Sequence, residues 1–348
     1  MKYFDYSKLK EKKWPKDIVN YIGLIHEYKG RHDLYFALYN RDDLKDMVEL
    51  AKKQSVEGSS DIDNIRTSES RLRQLMAGKT KPRNYDEQQL LGYRDVLNMI
   101  HDSYDYIPLT PNFILKFHKV MNQYSDGADG KYKDKPNEIT NTHSKVAKKI
   151  IFKTLDPFET PYAIESLCDQ YHRASKQFGI DSLLLIPIFI HDFLCIHPFD
   201  KGNGRISRIL ASLLLFKAGY MIGKYISIEK KMQKTMEEYF DALSDSSKGW
   251  HENKQDETEF IKYFLLVVLS AYRDFDERVS MVPKKRLAKE IVINAVSKQL
   301  DKFTKKEIME LCPEIKSSSV EISLRQLCEE GLIEKHGGGR STYYSWRK

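Results

Sequence analysis

The stretch His197-Pro198-Phe199-Asp200-Lys201-Gly202-Asn203-Gly204-Arg205-Ile206-Ser207-Arg208 decides how this chain is read. It joins an apolar segment ending at His197 to a second apolar segment that opens with two arginines. A glycine-rich turn leading into a helix leaves first-turn N–H groups without intrahelical partners, and the helix start carries partial positive charge. Together they make an anion cradle. Arg205 and Arg208, three residues apart, share one helix face beside that cradle. His197 at its rim is placed to act as a general base next to a bound phosphate.

On these residues the chain resembles the Fic (Fic/Doc) family of protein adenylyltransferases, whose signature is His-Pro-Phe-x-Asp/Glu-Gly-Asn-Gly-Arg-x-x-Arg. The resemblance implies an AMPylator, a nucleotidyltransferase that moves AMP from ATP to a Ser, Thr or Tyr hydroxyl of a target protein. On this reading His197 is the catalytic base. The amides of Gly202, Asn203 and Gly204 bind nucleotide phosphate, with Asn203 orienting it, and Arg205 and Arg208 grip the phosphates as planar forks. Phe199 anchors the loop in the core. One position departs from the signature: Lys201 stands where the family has the acidic residue that holds Mg²⁺ on the phosphates. Asp200 replaces that ligand only if the loop turns, whereas Lys201 offers a point charge of its own to the phosphates. ATP is therefore expected as substrate, with the part of Mg²⁺ left open.

A second patch, Ser59-Ser60-Asp61-Ile62-Asp63-Asn64, resembles the inhibitory helix Ser/Thr-x-x-x-Glu-Gly/Asn of one class of the family. The resemblance implies autoinhibition through Ser59, Asp63 and Asn64, with Asp63 paired to Arg208. Taken alone the hexapeptide reads equally as a helix cap or turn. Gly130-Lys131-Tyr132-Lys133 and the segment 150–162 fall where the family has a flap hairpin that docks its target as an added strand. An ordinary surface hairpin fits the same residues.

The chain has 348 residues, 41% hydrophobic and 31% charged, with formal net charge +7. Length allows about two domains with their own cores. The apolar runs 183–190 and 264–271 are shorter than the roughly 18 residues a membrane span needs, and residues 1–6 carry no apolar signal core. A cytoplasmic protein with no membrane association is expected. Cys168, Cys195, Cys312 and Cys328 form no Cys-x-x-Cys pair, so buried thiols are expected rather than a zinc site or disulfides. Cys195 and His197, two apart on a helix, do not face each other.

Periodicity makes the chain mainly α, with helices expected over 42–54, 70–76, 87–103, 112–123, 162–178, 182–196, 204–218, 228–243 and 257–278. Segment 182–196 is apolar nearly all round, so it belongs at the centre of a bundle, where His191 is a core histidine and Pro187 a kink. Residues 125–141 read as loop. The boundaries drawn are an N-terminal helical region 1–100 carrying the inhibitory patch, a Fic core 101–279, a linker 280–286 and a second domain 287–348.

Residues 284–348 hold fourteen Lys/Arg against nine Asp/Glu. A helix over 284–302, capping boxes at Thr304/Glu307 and Ser318/Glu321, and two strands around Gly337-Gly338-Gly339 resemble a winged helix-turn-helix. Lys316, Arg325, Lys335 and Arg340 would suit DNA contacts, mostly to phosphate. A protein or dimer contact fits as well, so a homo-oligomer stays open. The alternative to an autoinhibited adenylyltransferase is then a nucleotide-sensing, DNA-binding regulator with little or no transferase activity, because Lys201 replaces the acidic metal ligand.

Overall fold

The computed structural model describes all residues except 1, 3, 39–40, 126–129, 142–148, 282–287, 298, 300, 314 and 347–348. At 34–38, 41–43, 141, 149–151, 280–281, 288, 290 and 340 it describes the backbone alone. The chain forms two compact units, Met1–Asp276 and Glu277–Lys348.

In the first unit the helices are α1 (Lys16–Leu38), α2 (Arg41–Ile62), α3 (Glu69–Met76), α4 (Tyr85–Ser103) and α5 (Pro111–Met121). A hairpin follows, β1 (Glu138–Asn141) antiparallel to β2 (Lys149–Lys153). Then come α6 (Thr160–Lys176), α7 (Ser182–Ile196), α8 (Asn203–Lys217), α9 (Ile228–Lys234), α10 (Met236–Ser246) and α11 (Thr258–Met281), which runs past the end of the unit at Asp276.

α7 is buried at every residue from Leu183 to Ile196 and continues through Pro187. Its all-round apolar surface puts it between α6 and α8, where each fully buried Leu, Ile or Phe contributes roughly 1.5–3 kcal/mol. Helix starts follow from local chemistry. Asn84 accepts from the Glu87 amide at 2.9 Å, Asp181 from the Leu183 amide at 2.8 Å, and Thr110 caps α5 with Pro111 in first position.

The second unit contains α12 (Ala288–Ser297), α13 (Lys305–Leu311), α14 (Ser317–Glu329) and the antiparallel pair β3 (Ile333–His336) and β4 (Tyr343–Trp346). Phe303 adds one bridge to Tyr344, with mutual backbone bonds of 2.9 and 2.8 Å. The Thr304/Glu307 capping box is formed.

Several expectations are corrected. Residues 1–100 and the expected core are one unit, because α2 and α4 pack on α8. The first hairpin strand is 138–141, inside the expected loop, and 131–133 are not strand. Residues 160–162 start α6 instead of continuing the hairpin. The helix expected over 228–243 breaks at Thr235, at φ −118° and ψ 43°. Positions 280 and 281 of the expected linker still belong to α11, and 282–286 lie outside the described residues, as do Leu287 and Leu300. Ser318 does not cap α14; Lys316 precedes its first turn without a side-chain cap.

Candidate active site

His197 ends α7 in the left-handed region, at φ 53° and ψ 62°. A non-glycine residue persists there only when its surroundings over-determine it. Its amide bonds back to Phe193 O at 2.9 Å, and its Nδ1 lies 3.2 Å from Leu194 O. A carbonyl partner makes Nδ1 the protonated nitrogen, which leaves the Nε2 lone pair free. The ring is half-buried against the cleft. Burial pushes its pKa down to about 4, the Leu194 contact opposes that shift, and the charge of Lys133 adds to it. The imidazole is therefore neutral near pH 7.

After His197 the loop is nailed to the core by Phe199, fully buried and stacked on His118 at 3.9 Å between ring centroids. Asn203 closes it: Nδ2 donates to Phe199 O at 2.6 Å and Oδ1 accepts from Phe199 N at 2.9 Å. Both ends of this buried amide are thus spent on the loop. Gly202, at φ 84°, caps α8 without a side-chain hydrogen bond, which leaves first-turn amides for an anion. A Cβ there would stand 3.0 Å from Met121 and 3.2 Å from Arg205, besides being strained.

Arg205 and Arg208 are each 3% exposed. Asp63 reaches across to both. Its Oδ2 accepts from Arg205 Nε at 3.1 Å and its Oδ1 from Arg208 Nη2 at 3.0 Å. Ser59 completes the clasp: Arg208 Nε donates to its Oγ at 2.7 Å and Nη2 to its carbonyl at 2.8 Å. Asn64 serves through its backbone. At φ 59° it turns the chain just past α2, so that Asp63 points at the arginines. Sequence reasoning paired Asp63 with Arg208 alone; the shorter aspartate in fact bridges both guanidinium groups.

Asp63, His197, Lys201, Gly202, Asn203, Gly204, Arg205 and Arg208 line a cleft of about 350 Å³ together with Ile62, Ile65, Tyr85, Glu138, Ile139, Thr140, Leu194, Tyr239, Phe240 and Leu243. Its floor is cationic and amide-rich, and one wall is apolar, which suits a phosphate-bearing nucleotide with a flat base. Lys201 is exposed at the mouth, its Nζ 5.8 Å from the Tyr85 ring centroid. Asp200 is exposed and does not line the cleft. Of the lining carboxylates, Asp63 is engaged by arginines and Glu138 stands on β1. Among the described residues no three His, Cys, Asp or Glu side chains come together as a metal site.

Sequence reasoning missed the shell around these groups. Buried Gln89 accepts from Arg205 Nη1 at 2.5 Å and donates to Asn122 Oδ1 at 3.2 Å. His118 Nε2 lies 3.2 Å from Lys201 O. Buried Lys133 contacts the loop from behind. All are long-range contacts with no local spacing to announce them. Cys195 meets His191 at 3.7 Å and Ser247 at 3.5 Å, deep in the core and apart from the cleft chemistry.

In the second unit Lys316 and Lys335 are exposed. Arg325 pairs with Glu329 at 3.8 Å within α14, and Lys305 of α13 pairs with Glu321 of α14 at 2.7 Å. The Arg340 side chain lies outside the described residues. No helix among the described residues is long and apolar enough to cross a membrane.

Residues 108–215 match the model of the Fic/DOC family. A Fido domain-containing protein of Dictyostelium discoideum is 32% identical over 98 residues, covering 26% of this chain and 68% of that protein. The chain belongs to the Fic/DOC family. Its fold is shared by a Fic family protein of Desulfovibrio desulfuricans at 17% identity, with TM-score 0.64 over 97% of each chain. A Fic domain-containing signaling protein of Bacteroides thetaiotaomicron, 20% identical, gives 0.57 over 74% of this chain and 95% of that one. Fic-1 of C. elegans, 15% identical, gives 0.58 over 79% and 74%.

Proposed function

We propose that this protein is an autoinhibited nucleotidyltransferase that moves AMP from ATP to a hydroxyl side chain of a target protein. The observation that carries the reading is Asp63 bridging Arg205 and Arg208, an anion already seated where nucleotide phosphates bind. In transfer, His197 Nε2 takes the hydroxyl proton and the hydroxyl oxygen attacks the α-phosphorus. The bond from that phosphorus to the β-phosphate bridge breaks, and pyrophosphate leaves. General-base help is worth about 10²–10⁴-fold, and holding nucleotide and hydroxyl together supplies more. The two arginines and the amides of α8 stabilise the charge on the phosphates. A Mg²⁺ ion, if bound, would arrive on ATP.

The test is labelled ATP with the wild type, Asp63→Ala and Asp63→Ala/His197→Ala, each alone and with a cell lysate. Labelling is expected to rise with the first substitution and vanish with the second. If Asp63→Ala labels nothing and binds no ATP, the reading is lost.

A second reading, a nucleotide-sensing regulator acting on DNA, is supported by Lys201 in the metal-holding position and by exposed Lys316 and Lys335. The acidic partners of Arg325 and Lys305 weigh against it. A gel shift of the full chain at two salt concentrations separates the readings, because binding driven by phosphate contacts weakens steeply with salt.

A further inference from the structure

Lys133 is 3% exposed, a rare place for an ammonium group. Its Nζ donates to Asn137 Oδ1 at 3.0 Å, Thr154 Oγ1 at 2.9 Å and Ile196 O at 2.9 Å. All three protons are used, and every acceptor is neutral. A buried cation without a carboxylate on it is a cost that a methionine of similar length would avoid. What the ammonium supplies is a three-way fix between segments far apart in sequence.

Those segments are the two roots of the β1–β2 hairpin and the turn that carries His197. The Lys133 amide donates to Pro198 O at 2.8 Å. Asn137 Nδ2 donates to Phe199 O at 2.8 Å and His197 O at 3.4 Å. The Leu155 amide donates to Cys195 O at 3.3 Å, and Thr154 Oγ1 to Asn137 O at 2.8 Å. Five consecutive carbonyls, Cys195 to Phe199, are thus held from behind by residues 133–155. Asn137 immediately precedes β1 and Thr154 immediately follows β2, while Glu138, Ile139 and Thr140 line the cleft.

We propose that Lys133 is a positioning residue: it holds His197 in its left-handed turn and fastens the hairpin to that turn, so the base and the strand beside it keep one geometry. The proposal rests on the transferase reading, and it goes beyond it by assigning a group that touches neither nucleotide nor target. Lys133 acts through the backbone of 196–199, so its loss should affect the chemical step more than nucleotide affinity.

The experiment compares Lys133→Met with its parent, in the full chain, both as wild type and with Asp63→Ala. Three quantities are read: the tautomer of His197 by imidazole ¹⁵N resonances (assigned with His197→Gln), ATP affinity by calorimetry, and the rate of AMP transfer. The expected result is a His197 ring that loses its single Nδ1–H tautomer, an ATP Kd within about threefold of the parent, and kcat down by about tenfold or more. If the Asp63→Ala parent transfers nothing, the transferase reading fails, and the His197 resonances still decide the positioning claim. Unchanged resonances in a folded Lys133→Met protein overturn it. If Lys133→Met does not fold, Thr154→Val, which removes one acceptor, is read by the same measurements and the same criterion.

Discussion

Asp63 and Arg208 meet at 3.0 Å with unequal exposure: the aspartate side chain is 25% exposed and the arginine 2%. Water reaches the carboxylate half of the pair, while the guanidinium is sealed from it. Asp63→Ala then leaves two buried guanidinium groups without their carboxylate, at a cost of about 1–3 kcal/mol. An anion that refills the gap returns that stability by mass action. ATP is expected to raise the melting temperature of Asp63→Ala more than that of the wild type. Equal shifts in a thermal scan would count against Asp63 as the competing anion.

The pH dependence of transfer follows from His197. With its pKa pushed down to about 4 and with Asp63 working to raise it, removal of Asp63 lowers it further. The base must be neutral to act, and kcat/KM reports the free protein. For Asp63→Ala, kcat/KM should be flat from neutral pH down to about 5 and fall only near 4 and below. A midpoint close to 6.5, the value of an unperturbed histidine, would show that the ring is not desolvated as described.

Acid should unfold the first unit through two other histidines. Burial lowers the pKa of His101 to about 3 and that of His191 to about 3. Between roughly pH 6.5 and 3 the unfolded chain binds protons that these buried rings refuse, so stability falls as pH falls through that window. Each ring steepens the dependence by up to about 1.4 kcal/mol per pH unit. His101→Gln, or His191→Gln, should flatten a plot of urea midpoint against pH. Parallel slopes for variant and wild type would sink this account.

Asn203 makes a separable prediction. Since both ends of its amide bond to Phe199, Asn203→Ala strands the buried Phe199 N–H, costing about 1–3 kcal/mol, and leaves Phe199 O with its bond from Asn137 alone. Asn203→Asp keeps the acceptor, loses the donor and should fall between. Urea unfolding of the three proteins ranks them, and a stable Asn203→Ala would contradict the loop-closing part.

Lys201 is tested by restoring an acid. Lys201→Glu in the Asp63→Ala background should make transfer depend on Mg²⁺, because a carboxylate at the mouth gives a phosphate-bound cation a protein ligand. Titration with Mg²⁺ and with chelator separates this from the parent, and identical curves would refute it.

The cleft was legible where its chemistry is local. The twelve residues 197–208 place a base, an amide cradle and two arginines by their order alone, and α7 was bounded correctly by its apolar run between Asp181 and His197. Asp63 could be tied to Arg208 only through the family resemblance. α1 went unread because its buried residues Ile18, Ile25 and His32 recur once every two turns, too thin a stripe to stand out. The break at Thr235 was hidden by continuous helical spacing on both sides. Gln89 and Lys133 act on partners at Arg205 and Ile196, more than sixty residues away, and a side chain's distant partner leaves no periodic trace.

The tight seat of α2 also bears on how the proposed inhibition would be lifted. A Cβ at Gly58 would stand 2.8 Å from the backbone of Lys230, so the helix that carries Ser59 rests directly on α9. Such a contact leaves no room for a side chain between α2 and α9 at this point. On the proposed reading, relief of inhibition would fall to the final turn and the swing of one carboxylate, and a bulkier residue at 58 is expected to draw Ser59 and Asp63 away from the two arginines.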